Sequence, residues 1–135
     1  MKRLFLFSLL FTVFFSVKAQ TPPPKPGPYL KFAEKTHEFA DIYEGDSVKY
    51  VFKFVNEGTA PLILSEAIVT CGCTTPTLTK DPVMPGASGE VKVVFKSAGK
   101  MGIQNKVVTI LSNATNNPER ISIRVNVLPA KVSSK

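Results

Sequence analysis

Cys71 and Cys73 are the only thiols in this 135-residue chain, and they stand two apart in Thr70-Cys71-Gly72-Cys73-Thr74-Thr75-Pro76. Thiols bond to each other, exchange with a partner's thiols or ligate soft metals. In a fully extended strand their Cα atoms would lie about 7 Å apart, the upper limit for a disulfide. Gly72 between them is expected to allow a bend that other residues resist. A bridge across so short a loop removes little unfolded-chain entropy, so it stabilises weakly, and a strained one is readily reduced. Four states stay open: a local structural disulfide, two buried thiols packed as small apolar groups, a redox-active or partner-exchanging pair, and a soft-metal site. For the metal, two thiolates are half of the usual ligand set. The other possible ligands are His37, Met84 and Met101, and nothing in their spacing directs them toward the cysteines. No cofactor or metal site is therefore expected. Thr74, Thr75 and Pro76 read as a loop after the pair, and that loop is the candidate partner contact.

Hydrolytic chemistry has little to build on. Ser88 lies in Gly86-Ala87-Ser88-Gly89, a turn that lacks the strand-to-helix elbow of a nucleophile. His37 is the only imidazole, with no identifiable acid to orient it. There is no phosphate-cradling glycine loop. No catalytic residues are expected, and the chain reads as a non-enzyme. Two short patterns bear on modification. Asn113-Ala114-Thr115 matches an N-glycosylation acceptor, and Asp46-Ser47-Val48 is similar to an O-glycosylation acceptor of some Gram-negative bacteria. Three-letter matches like the first are frequent by chance, and a turn aspartate before a strand explains the second.

The chain begins with Lys2 and Arg3, continues through an apolar run from Leu4 to Val17, and reaches a small residue at Ala19. This is the pattern of a secretory signal peptide over residues 1–19. The run is shorter than the ~20 residues a spanning helix needs, so no membrane anchor is expected after cleavage. Export places the product in the periplasm or outside the cell. Losing Lys2, Arg3 and Lys18 lowers the formal charge from +7 by three, to +4. The remaining cations are scattered and not interleaved with aromatic rings, which argues against nucleic acid as a partner. Residues 20–28 form a Pro-rich spacer, and 130–135 read as a flexible tail.

Between them apolar and polar residues alternate with period two. Val48, Tyr50, Phe52 and Phe54 share one face while Lys49 and Lys53 share the other; Val91, Val93 and Phe95 alternate with Lys92 and Lys96. Val108 and Ile110, then Ile121, Ile123, Val125 and Val127, repeat the pattern. Successive strand side chains point to opposite faces, so each segment buries one face and wets the other. Turn signals such as Asn56-Glu57-Gly58, Pro85-Gly86 and the stretch from Ser112 to Pro118 separate the segments. A strand broken over 29–33 and 36–40 brings the count to about seven. The expectation over residues 29–129 is an all-β, immunoglobulin-like β-sandwich of about seven antiparallel strands. It has no tryptophan and no cysteine pin between its sheets.

The cysteine motif does not stand alone. Phe39-Ala40-Asp41-Ile42-Tyr43-Glu44-Gly45, Phe52-Lys53-Phe54-Val55-Asn56-Glu57-Gly58-Thr59-Ala60-Pro61-Leu62, Pro85-Gly86-Ala87-Ser88-Gly89-Glu90 and Ser112-Asn113-Ala114 flank it in order. Together they make residues 32–127 resemble the Domain of Unknown Function 1573 family, exported bacterial domains with an immunoglobulin-like fold. Its members are similar to cilium- and centrosome-associated immunoglobulin-like domains that act as binding modules. The resemblance implies an exported scaffold or binding module whose partner is a protein or another component of the cell envelope. The alternative is a thiol-redox or soft-metal protein that uses Cys71 and Cys73.

Overall fold

The computed structural model describes residues 19–132. The expected signal peptide, apart from Ala19, and residues 133–135 of the expected tail lie outside the described residues. Among those described, no helix is long and apolar enough to cross a membrane.

The described residues form nine strands: β1 (Leu30–Phe32), β2 (Thr36–Glu38), β3 (Ile42–Tyr43), β4 (Ser47–Asn56), β5 (Leu64–Val69), β6 (Thr74–Leu78), β7 (Ser88–Lys96), β8 (Gly102–Ser112) and β9 (Glu119–Leu128). They build two sheets, ordered β1-β4-β7-β6 and β2-β9-β8-β5, with β3 also on β9. The period-two residues face each other between the sheets. Phe52, Phe54, Val91, Val93 and Phe95 of the first sheet bury against Val108, Ile110, Ile121, Ile123 and Val125 of the second. Burying each is worth roughly 1.5–3 kcal/mol relative to exposure. Gly89 belongs to this inner face because the Phe54 ring lies across it, where any Cβ would overlap the ring.

The chain crosses between the sheets early. β1 pairs antiparallel with β4, Leu30↔Asn56 to Phe32↔Phe54. It then leaves, and β2 and β3 run parallel to β9, Thr36↔Ser122 to Glu38↔Arg124 and Ile42↔Val127. The sandwich is thus antiparallel except for these two short pairings. A strand that changes sheets without reversing meets β9 pointing the same way. A second crossing follows β5, whose last pair with β8 is Val69↔Val108; β6 begins in the other sheet with Thr74↔Phe95.

Asparagines clamp the opposite end. Asn56, fully buried, accepts from Tyr29 N–H (3.2 Å) and Gly58 N–H (3.0 Å) and donates to the carbonyls of Ala60 (2.7 Å) and Val83 (2.9 Å). Asn116 accepts from Leu30 N–H and donates to Leu30 C=O, standing in for a neighbouring strand. Part of the Pro-rich segment is held as well, contrary to a free spacer over 20–28. Lys25 N–H donates to Glu57 C=O at 3.0 Å and Thr59 N–H to Gly27 C=O at 2.8 Å. Gly58 permits this approach, since a Cβ there would overlap the Gly27 carbonyl.

Candidate functional site

The second crossing carries the cysteines. Cys71 and Cys73 are joined by a disulfide with Cα atoms 5.3 Å apart, inside the ordinary range. Thr74 N–H donates to Cys71 C=O at 3.2 Å, closing a tight turn, and Lys96 N–H donates to Cys73 C=O at 2.9 Å, extending the ladder of β7. Cys73 packs against the core, while Cys71 is half-buried. Gly72 does not take a positive φ, and a Cβ there would meet nothing within 4 Å. The expectation that the bend needs glycine is therefore corrected: the turn has room for alanine.

Thr74, Thr75 and Pro76 are not a loop. They open β6, paired Thr74↔Phe95, Thr75↔Val94 and Pro76↔Val93. Thr74 is buried against the core, Thr75 is exposed and Pro76 half-buried. Proline suggested a break in the sequence, yet a proline whose missing N–H faces away from the partner strand fits an edge. The other possible ligands are not gathered at the cysteines. His37 is on β2, at the opposite edge of its sheet from β5. Met84, in the connection from β6 to β7, and Met101, just before β8, are exposed. Among the described residues, no group of three or more His, Cys, Asp or Glu is placed to hold a metal. Asn113 accepts from Ile63 N–H (2.8 Å) and donates to Pro61 C=O (3.1 Å), so its amide ties two loops together. Asp46 accepts from Tyr43 N–H at 3.0 Å, as a turn aspartate does.

Where the chain leaves sheet two, it uncovers part of β8. Residues 102–107 pair with β9 on one side, Gly102↔Val127 to Val107↔Ser122, and no β5 residue stands in register on the other. Their backbone directions follow from β9. Arg124 C=O accepts from Phe39 N–H, and Ser122 N–H donates to Lys35 C=O, so even-numbered β9 residues address β2. Odd-numbered ones address β8, where they face its even-numbered residues. The N–H and C=O groups of Ile103 and Asn105 therefore point to the uncovered side, as do those of Val107 beside the turn. Their side chains stand on the exposed outer face, with Ile103 at 67% exposure and Val107 at 36%. Sequence reading missed this edge; its signal is a run from Ile103 to Val107 with neither proline nor charge at odd positions.

The first crossing is filled instead of open. The His37 ring stacks on Tyr50, centroids 3.6 Å apart and 10° from parallel. Phe39 and Phe52 meet Tyr50 edge to face at 6.3 and 4.9 Å. Glu34 lies 3.3 Å from His37 Nδ1. Hydrogen bonding to Glu34, with desolvation and the carboxylate's charge adding to it, raises the Tyr50 pKa above its usual 10.0.

The family model for proteins of unknown function DUF1573 matches residues 30–127, from the first strand through the last but for one residue. The chain belongs to this family. Among solved structures it is similar to a Porphyromonas gingivalis W83 protein of unknown function, at 16% identity and TM-score 0.65, covering 80% of this chain and 50% of that one. The seventh PapD-like domain of human CEP192 matches at 14% identity and TM-score 0.59, covering 85% and 94%. The secreted serine protease VesC of Vibrio cholerae matches at 15% identity and TM-score 0.57, covering 74% of this chain and 23% of the protease. The chain thus spans half of the first relative's length and nearly all of the CEP192 domain. At these identities the likeness is one of fold, an immunoglobulin-like β-sandwich. Among curated protein sequences, none matches it.

Proposed function

We propose that this DUF1573 protein is an exported, non-catalytic binding module of the bacterial cell envelope, and that it takes up an extended protein segment as an added strand on β8. A family without assigned chemistry and a PapD-like fold support the binding role. The observation that carries the mode of binding is the uncovered stretch of β8. Residues 102–107 present backbone donors and acceptors in a row between exposed aliphatic side chains. Such a row pairs with an incoming strand, main-chain bonds giving affinity and alternate side chains giving specificity. The disulfide turn sets one end of the opening, because it fixes where β5 leaves the sheet. The signal-like first 19 residues and a bridge of the kind that persists in oxidising compartments support periplasmic or extracellular residence.

The test is capture from a cell-envelope extract by the wild-type chain and by Asn105→Pro. Residue 105 directs its N–H to the open side, so proline there removes an edge donor without breaking the β9 ladder. Proteins held by the wild type are expected to be lost from the folded variant. An unchanged set of captured proteins would count against strand uptake at this edge.

A further inference from the structure

Both sulfurs of the Cys71–Cys73 bridge are met by hydrogen-bond donors. Cys73 N–H donates to Cys71 Sγ at 3.1 Å. Thr74 Oγ1 lies 3.8 Å from Cys73 Sγ, and since a bridged sulfur has no proton to give, the hydroxyl is the donor. Thr74 is buried, and among the described residues this sulfur is the partner its hydroxyl has. A buried hydroxyl needs a partner, yet a neutral sulfur is a weak acceptor. A thiolate is a better one, and a hydrogen bond to a charged form favours that form. The two donors are therefore placed for the reduced pair, in which one sulfur or the other carries charge.

The surroundings suit a bond that opens and closes. A loop closed over one intervening residue contributes little to stability, so the fold outlasts its reduction. Two backbone bonds, Thr74 N–H to Cys71 C=O and Lys96 N–H to Cys73 C=O, keep the cysteines near each other alongside the bridge. The two cysteines are also unlike. Cys73 packs against the core, whereas Cys71 lies between the exposed Thr70 and Gly72. A Cβ on Gly72 would meet nothing within 4 Å, so an incoming sulfur has room on that side.

We propose that Cys71 and Cys73 form a thiol–disulfide exchange site that takes a dithiol of another protein, with Cys71 the sulfur attacked and Cys73 the sulfur released. A thiol of the partner loses its proton to water and attacks Cys71 Sγ. A disulfide forms between Cys71 and the partner, the Cys71–Cys73 bond breaks, and its electron pair leaves on Cys73 Sγ, held by Thr74 until it takes a proton. The partner's second thiol, deprotonated in turn, attacks the partner's own sulfur in the mixed disulfide. Cys71 leaves as a thiolate held by the Cys73 N–H and takes up the second proton. The partner is oxidised by two electrons and the pair is reduced by two. One chain oxidises one dithiol, so the exchange is stoichiometric and stands beside the binding role without needing the β8 edge. Run backward, reduced Cys71 is the nucleophile and Cys73 resolves the mixed disulfide. Thr74 is a positioning residue.

The unlike roles of the two cysteines supply the test, read by intact mass of acid-quenched samples. Reduced Cys73→Ser mixed with oxidised glutathione is expected to hold one glutathione on Cys71, since no second thiol can release it. Reduced Cys71→Ser should take up glutathione at least about 10-fold more slowly, because its thiol lies against the core. With reduced, unfolded ribonuclease A as the dithiol probe, the bridged wild type should oxidise it at least about 10-fold faster than the bridged peptide Thr70–Pro76, whose threonine hydroxyl is in water. Thr74→Val should slow the chain about 10-fold by removing the donor at Cys73, and Thr74→Ser should restore the rate. Circular dichroism melts confirm that each variant is folded. Should Thr74→Val fail to fold, the two single-cysteine variants and the peptide comparison decide. The proposal is overturned if the single-cysteine variants take up glutathione at equal rates, if the chain is no faster than the peptide, or if folded Thr74→Val exchanges as the wild type does.

Discussion

The chain changes sheets between β1 and β2 and again between β5 and β6, and the two crossings are held in different ways. At the first, Phe52, Tyr50, His37 and Phe39 pack as a continuous run of rings. At the second no stack of rings forms; Phe95 faces Thr74 from β7, and one covalent bond between Cys71 and Cys73 fixes the turn. Each crossing uncovers part of the strand it leaves, residues 47–52 of β4 and 102–107 of β8. The gap beside the rings carries Lys49, whereas the gap beside the disulfide carries Ile103, Asn105 and Val107. Rings stabilise by filling space, so they close the seam they hold. A bridge constrains a turn without occupying the space beside it. A binding edge can therefore survive next to the disulfide and not next to the stack.

This difference has energetic consequences. The largest is expected at the first crossing. Phe52 is fully buried and meets Tyr50 edge to face at 4.9 Å. Phe52→Ala should cost about 3–5 kcal/mol, from lost burial and the cavity left behind, read as a fall in the urea midpoint. The double substitution Cys71→Ser with Cys73→Ser should cost under about 2 kcal/mol, because so small a loop releases little chain entropy. Its mark should be local, as faster amide exchange at Val69 and Thr74. A cysteine variant as damaging as Phe52→Ala would mean that the bridge holds the core, and the contrast between the crossings would fall.

Much of this was legible in the sequence. β4, β7 and β9 follow their alternating residues almost to the end, because a strand with one buried face must alternate. The broken first strand was also legible, although its parallel run along β9 was not; period two fixes faces and says nothing of direction. β6 was hidden by its own residues. Thr74, Thr75 and Pro76 look like a loop, and only the ladder with β7 shows that proline sits on an edge. The cysteines were legible as a pair, but Gly72 misled, since its backbone needs no glycine geometry. The open edge of β8 was beyond local reading. It is made by where β5 stops, some 35 residues earlier in the chain. The Glu34, His37 and Tyr50 cluster likewise joins residues whose approach depends on the first crossing.

That cluster yields the smallest effect and the finest test of the packed crossing. Glu34 raises the pKa of the Tyr50 phenol above its usual 10.0 in the folded chain, first by hydrogen bonding. The fold thus holds this proton more tightly than the unfolded chain does. The resulting stability is complete below pH ~10 and is lost as pH rises through the folded pKa. Tyr50→Phe keeps the ring and its contact with His37 while removing both the donor and the ionisation. The variant should be slightly less stable than wild type at neutral pH, and the difference should shrink above pH ~10 as the wild-type phenol ionises. Every other side chain is the same in both proteins, so its effect cancels in the comparison. Paired thermal melts from neutral to alkaline pH measure it. A gap that stays constant across that range would mean that Glu34 does not hold the phenol, and the first crossing would rest on ring packing alone.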